Sequence, residues 1–536
     1  MTKTSISIAI ASLLSASVGA ESLKSVSLEE SVEKPKQETV RVIVTHESGV
    51  VFSQGVSVGN NQRILEVEAD EAGAFIKQMK NRQGVKNAEQ DVIIKREPVV
   101  EDFETTMQRQ SYTPTDSPTD PFFSSQRLWD APGTSNPGTQ NIISAYLNTT
   151  RETESVRVGV IDSDFITHPD LEYAEGYNFA SFGGGVVGPN FLEVDQNEDC
   201  TSTHGTGVAG VIASMRNNGV GTAGIMDAEL VAVRALNCGT GSLFEAAQSI
   251  RWLAGGSVSG EPSISEPVRV INLSLVAEIL NCPTYMQEAV DFAQSKDILV
   301  VASAGNNSAD AGGYSPANCA GVLTVGSLRI SGAVSGFSNY GTVVDVSAVG
   351  SQVATITTDP GSAAFRYGTS FSAPVVAGIA GMMMQAFPGI SSADVAQTIT
   401  ATMRSQTDPD NQEEVGGIAD ADAALEVIRN RLDDQRPDLR LALNSPERCE
   451  RSTYLQNEPS GLRFDSLYEV LASNIDLNGS SHYAVFKNPG STTEEVTLSE
   501  NPVFLVQNID PDNDDLYFDL CDSDGNNCQF SKQLPL

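Results

Sequence analysis

At 536 residues the chain exceeds one ordinary core of roughly 100–200 residues, so several folded units are expected. A hydrophobic content of 40% with 6% aromatics is that of a soluble globular protein and excludes wholesale disorder. A formal net charge of −36 repels phosphate backbones and anionic lipid, which excludes nucleic acid as the expected partner.

In chain order, Met1 to Ala20 has Lys3 near its start, an apolar run from Ile6 and the small residues Val18-Gly19-Ala20 at its end. That is the pattern of a secretory signal peptide, so export to the extracellular space, periplasm or cell envelope is expected. Residues 21–97 read as a small α+β unit, with strand-like runs at Arg41–Thr45, Arg63–Glu68 and Asp91–Lys95 and an amphipathic helix over Asp70–Lys80. Residues 98–120 hold Pro114, Asp116, Pro118 and Asp120 without apolar period, which marks a linker open to cleavage.

From Val156 strands and helices alternate: Val156–Ile161, a helix after His204, Glu229–Ala235, a helix over Leu243–Leu253, Val270–Leu275, a helix over Tyr285–Gln294, then Ile298–Ala302. Continuous β-branched runs separated by helices predict an α/β unit, residues 121–430, whose parallel sheet is flanked by helices on both faces. The apolar run Ser372–Phe387 falls short of the roughly 20 residues that span a bilayer, so it is expected to be a core helix and no membrane span is expected. Residues 431–536, with short runs such as Tyr483–Phe486 and Val503–Val506 between Asn, Gly, Asp and Pro clusters, read as a small β-rich unit.

Four histidines limit the choice of a general base to His46, His168, His204 and His482. His204 precedes Gly205-Thr206-Gly207-Val208-Ala209-Gly210, small residues that open a closely packed helix, whereas His168 sits in a Thr-His-Pro-Asp turn and reads as structural. Asp162 ends the run Val156 to Ile161, and the carboxyl ends of parallel strands are where catalytic groups gather. A carboxylate there can fix the imidazole tautomer and stabilise its cation. Ser370, in Gly368-Thr369-Ser370-Phe371-Ser372-Ala373-Pro374, opens an apolar helix whose positive end favours developing negative charge. Asn306, after Ser303-Ala304-Gly305, offers a side-chain amide as an oxyanion donor. Each residue alone is ordinary turn or cap chemistry; the set carries the argument.

With Val160-Ile161-Asp162-Ser163, His204-Gly205-Thr206, Ser303-Ala304-Gly305-Asn306 and Gly368-Thr369-Ser370 in that order, the chain resembles the subtilisin-like serine proteases (subtilases) over residues 121–430. The resemblance implies Asp162, His204 and Ser370 as the triad and Asn306 at the oxyanion. It implies Ser274-Leu275-Val276 and Ser303-Ala304-Gly305 as walls of the primary pocket, and Gly239-Thr240-Gly241 as an edge that pairs with an extended peptide. Broad specificity for protein or peptide substrates, with an apolar residue before the cut, follows as an expectation. The first unit resembles the family's inhibitory propeptide, with Val85–Lys95 as its last strand but no visible first helix between Gly49 and Asn61. Disulfides are implied between Cys200 and Cys238 and between Cys282 and Cys319; Cys521 and Cys528 flank a plausible hairpin, with Cys449 left over or joined to either. No cofactor is expected for catalysis. Family members often hold structural calcium, so a structural calcium is implied by the resemblance without named ligands; Asp510, Asp512, Asp514 and Asp515 lack the turn glycine and twelfth-position ligand of a calcium loop. A monomer is expected.

Two departures stand out: Asp164 and Val276 occupy positions where the family usually has glycine. With the added β-rich unit, they prompt the alternative of an adhesion or binding protein on the same scaffold with weak or lost turnover. An esterase is disfavoured because no Gly-x-Ser-x-Gly surrounds Ser370 and the triad order differs.

Overall fold

The computed structural model describes residues 38–95, 117–148, 155–181, 187–192, 203–237, 239–406 and 415–435, together with backbone strands between Cys449 and Leu534. The first unit comprises β1 (Thr39–His46), β2 (Val56–Gly59), β3 (Gln62–Glu68), α1 (Ala72–Lys80) and β4 (Val85–Gln90). Its sheet runs β2-β3-β1-β4, and alternate residues Val42 and Val44 of β1 pack with Met79 of α1. The stretch expected as one last strand, Val85–Lys95, is broken in two: β4 ends at Gln90, and β5 (Ile93–Lys95) leaves for another sheet. The break has a cause distant in sequence. The Asp91 carboxylate turns away to accept from Ser242 Oγ at 2.7 Å and Phe244 N at 3.2 Å.

The second unit runs α2 (Ile142–Asn148), β6 (Val156–Ser163), β7 (Tyr173–Asn178), α3 (His204–Ala213), β8 (Ala228–Asn237), β9 (Thr240–Ser242), α4 (Leu243–Leu253), β10 (Val270–Leu273), β11 (Ala277–Glu278), α5 (Thr284–Ser295), β12 (Leu299–Ser303), β13 (Tyr314–Ser315), β14 (Leu323–Leu328) and β15 (Val346–Val349). It continues through the hairpin β16 (Val353–Ile356) and β17 (Ala363–Arg366), α6 (Thr369–Ala386), α7 (Ser392–Ala401), β18 (Gly417–Ile418) and α8 (Ala421–Gln435). The main sheet orders its strands β18-β15-β14-β12-β10-β6-β8-β9-β5, with β7 also on β8. Pairing is parallel from β18 to β8 and antiparallel at β8-β9-β5, so the sheet is parallel with an antiparallel edge.

Side chains that alternate along a strand serve the two helical layers. Leu230 and Ala232 of β8 pack with Val208 of α3 and Val376 of α6, whereas Val231, Val233 and Ala235 pack with Ile250 of α4 and Val290 of α5. Helix α6 is buried from Thr369 to Gln385, consistent with a sequence that is apolar on every side. No helix of the described residues is long and apolar enough to cross a membrane. Beyond α8, the strands fall into one three-stranded and one four-stranded antiparallel sheet.

Candidate active site

The last turns of β6, β10 and β12 and the first turns of α3 and α6 converge at one end of the sheet. Asp162 lies at the end of β6, fully buried, and its Oδ1 accepts from Ser163 N at 2.7 Å. The same oxygen is 2.7 Å from Nδ1 of His204, the first residue of α3. Such a contact fixes the proton on Nδ1 and presents Nε2 as an acceptor. Gly205 makes the approach possible, since a Cβ there would sit 2.2 Å from the Ser163 carbonyl oxygen. Edge contact with Phe371, ring centroids 5.2 Å apart, holds the imidazole from the α6 side.

Ser370 is the second residue of α6, which begins after Gly368 with φ of 132°. Its Oγ donates to the Ser274 carbonyl at 3.3 Å, and Ser274 Oγ donates to the Ser370 carbonyl at 2.7 Å. Nε2 of His204 has no hydrogen-bond partner among the described residues, so the serine hydroxyl is held by the residue just past β10 and not by the imidazole. Asn306, just past β12, accepts from Thr369 N and Thr369 Oγ1, both at 2.9 Å. With its Oδ1 occupied in this way, the amide NH2 is the end left for the cavity.

That cavity, about 240 Å³, has Ser370, Thr369 and Asn306 on its wall. Ser274, Leu275 and Val276 line it on one side and Ser303 and Gly305 on the other, while Ala304 is buried behind them. Glu278 and Tyr314 also line it. Gly239 has φ of 73°, and Thr240 and Gly241 belong to β9, which is already paired: Ile93, Ile94 and Lys95 of β5 face Ser242, Gly241 and Thr240 in antiparallel register. Ile94 is 1% exposed and lines the same cavity, so part of this chain already occupies the free edge of β9.

The other histidines are elsewhere. His168 is buried with Nδ1 accepting from Asp170 N at 3.1 Å, and burial lowers its pKa, as suits a turn residue. His46 packs on Phe52 in the first unit. Thr369, which bonds Asn306, is not singled out by motif reading, and Ser274, read there as a pocket wall, also accepts from Ser370 through its carbonyl; both lie inside the quoted motifs. The Val276 Cγ2 lies 3.4 Å from the point a Cβ on Gly305 would occupy, so its branched side chain covers the facing glycine. Asp164 has φ of 50°, which accounts for glycine as the usual residue there.

Cys282 and Cys319 are joined by a disulfide. The Cys200–Cys238 and Cys521–Cys528 pairings, the Cys449 side chain and the Asp510 to Asp515 cluster lie outside the described residues. Among the described residues no three His, Cys, Asp or Glu side chains group to hold a metal ion.

The chain matches the subtilase family of peptidases (S8) over residues 153–417. It is 36% identical to an extracellular protease of Xanthomonas campestris, over 51% of each chain, and 30% identical to an extracellular basic protease of Dichelobacter nodosus, over 60% of each. The match therefore spans about half to three fifths of those two relatives. Thermitase of Thermoactinomyces vulgaris is 33% identical over 53% of this chain and 91% of its own. A solved structure titled as proteases from Pseudoalteromonas arctica is 33% identical with a TM-score of 0.51, covering 58% of this chain and 99% of that one.

Proposed function

The chain belongs to the subtilase family, and from that premise we propose that it is an exported serine endopeptidase made as a self-processed precursor, with Asp162, His204 and Ser370 as its triad. The observation that carries the reading is the 2.7 Å contact of Asp162 with Nδ1 of His204, whose ring packs edge-on against Phe371, the residue after Ser370, while Ser370 and Asn306 line one cavity. Rotation about the Ser370 Cα–Cβ bond exchanges the Ser274 carbonyl for Nε2, an adjustment expected when substrate tightens a site. Nε2 then takes the hydroxyl proton as Oγ bonds to the scissile carbonyl carbon, and the oxyanion rests on the Asn306 amide and the Ser370 N–H. The imidazolium returns its proton to the leaving nitrogen as the C–N bond breaks. Water, deprotonated by the same nitrogen, releases the acyl group and restores the serine.

The β5–β9 pairing supports a second part of the reading, that the first unit inhibits the enzyme as an intramolecular propeptide until cleavage between about residues 97 and 120. Leu275 and Val276 at the cavity favour an apolar residue before the cut. The names of the extracellular relatives support export. The test is direct: the full chain matures, the Ser370→Ala chain stays intact. Equal maturation of both refutes the reading, and absence of labelling of Ser370 by a serine-directed phosphonate favours a binding protein that has lost turnover.

A further inference from the structure

Beside the Asp162–His204 pair lies a second buried charge pair. Asp164 is fully buried, and its Oδ1 lies 3.9 Å from Nη2 of Arg234, itself only 3% exposed. A buried carboxylate is costly unless it meets a cation, and at φ of 50° an aspartate also accepts a backbone conformation that suits glycine. Arg234 stands directly opposite Asp162 in the parallel ladder of β6 and β8, and its Nη2 donates to Asn237 Oδ1 at 2.8 Å. The Asp164 carbonyl accepts from Thr206 Oγ1 at 3.2 Å, and that hydroxyl accepts from Ile166 N at 3.0 Å. Thr206 is two residues along α3 from His204. One turn therefore joins the ladder partner of Asp162 to the helix that carries the imidazole.

We propose that Asp164 and Arg234 are positioning residues for the acid–imidazole pair: the guanidinium offsets the field of the second carboxylate, so that His204 answers to Asp162, while the turn they hold fixes α3 against β6. The inference rests on the triad reading above. A carboxylate two residues from Asp162 favours an imidazolium and a guanidinium disfavours one, so the two fields oppose each other at His204. Among the described residues, the other ionisable groups around the turn are Asp162 on β6, His204 on α3 and Tyr173 on β7. Tyr173 is buried beside Thr206, and burial raises its pKa so that it stays protonated. His168 and Asp170 lie further along the connection from β6 and bond to each other through the Asp170 N–H.

The experiment compares Asp164→Asn, Arg234→Gln and the double variant, each made as the full-length chain, by the pH profile of kcat/KM on a peptide after maturation. The acidic limb is expected to move down by roughly half to one pH unit in D164N and up by about as much in R234Q, and to return toward wild type in the double variant. Asp164→Gly, which suits the backbone, is expected to move it as D164N does. Where a variant is inactive, the NMR titration midpoint of the His204 ring in the Ser370→Ala chain gives the same test of sign. Limbs or midpoints that coincide, or that move the same way in both single variants, overturn the proposal. An active wild type with unmoved limbs leaves the triad reading standing, whereas maturation that survives Ser370→Ala removes the triad reading itself.

Discussion

Ile94 stands opposite Gly241 in an antiparallel pairing that carries the last strand of the first unit onto the edge of the second unit's sheet. Its side chain is buried in the cavity that holds Ser370. Trimming a buried isoleucine to alanine costs about 2–5 kcal/mol where the site cannot collapse. Ile94→Ala is therefore expected to loosen this contact and shorten the lag before peptide cleavage begins in freshly folded full-length chain. A lag equal to that of wild type would show that β5 does not restrain the enzyme.

A second element of the same contact is sensitive to pH. Asp91 accepts from Ser242 Oγ and Phe244 N and lies 3.3 Å from Nε of Arg41. Burial pushes its carboxyl from the ordinary 3.8 up to about 6 despite the opposing pull of Arg41 and these hydrogen bonds. A group raised in the docked state binds a proton on docking, so its contribution is complete below the ordinary value and is lost as pH rises through about 6. The shift of about two units corresponds to roughly 3 kcal/mol. The first unit should thus hold the cleft more firmly in acid than near neutrality. Asp91→Asn keeps an acceptor for Phe244 and removes the titration. With Ser370→Ala in both chains, its urea midpoint should exceed that of wild type clearly at about pH 7.5 and by much less at about pH 4.5. The same difference at both pH values would refute the assignment.

Thr369 supplies two donors to Asn306 Oδ1 and, through Oγ1, accepts from Gly305 N at 3.2 Å. Thr369→Val keeps the shape and the backbone donor but removes the hydroxyl, a loss of about 1 kcal/mol in orienting the amide. The expected result is a fall in kcat of about fivefold with KM nearly unchanged, the mark of a donor that acts in the transition state. Asn306→Ala should lower kcat by roughly 10²–10³, the effect of losing the corresponding donor in subtilisin, a relative. A Thr369→Val chain whose KM rises while kcat holds would place the hydroxyl in ground-state binding instead.

The elements that carry these groups were legible because each is written in one stretch of chain. The β-branched run around Val156–Ile161 and the uninterrupted helix pattern over Leu243–Leu253 need no distant partner to be read, and α4 has those same bounds. What local pattern could not supply was pairing across sequence. Val85–Lys95 reads as one strand, and only the bond of Asp91 to a helix start some 150 residues later shows why it breaks. Asp164 reads as an intruding carboxylate until Arg234, on a neighbouring strand, is seen beside it. The Ser370 hydroxyl bond to Ser274 is likewise a rotamer choice with no sequence signal.

Val276 decides how wide the cleft is. It lines the cavity, and its Cγ2 lies 3.4 Å from where a Cβ on the facing Gly305 would sit, a position where the Asn339 amide, 2.4 Å from that point, and a φ of 104° favour glycine. Val276→Gly removes three carbons from this wall without touching Ser370, His204 or Asn306. Peptides with a large aromatic residue before the cut should then gain about tenfold in kcat/KM relative to those with alanine, because a pocket contact of methylene size discriminates by about 1–3 kcal/mol. The change should appear mainly in KM, since the wall touches substrate and transition state alike. Paired peptide assays on the two chains check it: an unchanged aromatic-to-alanine ratio would mean that the residue before the cut does not reach Val276.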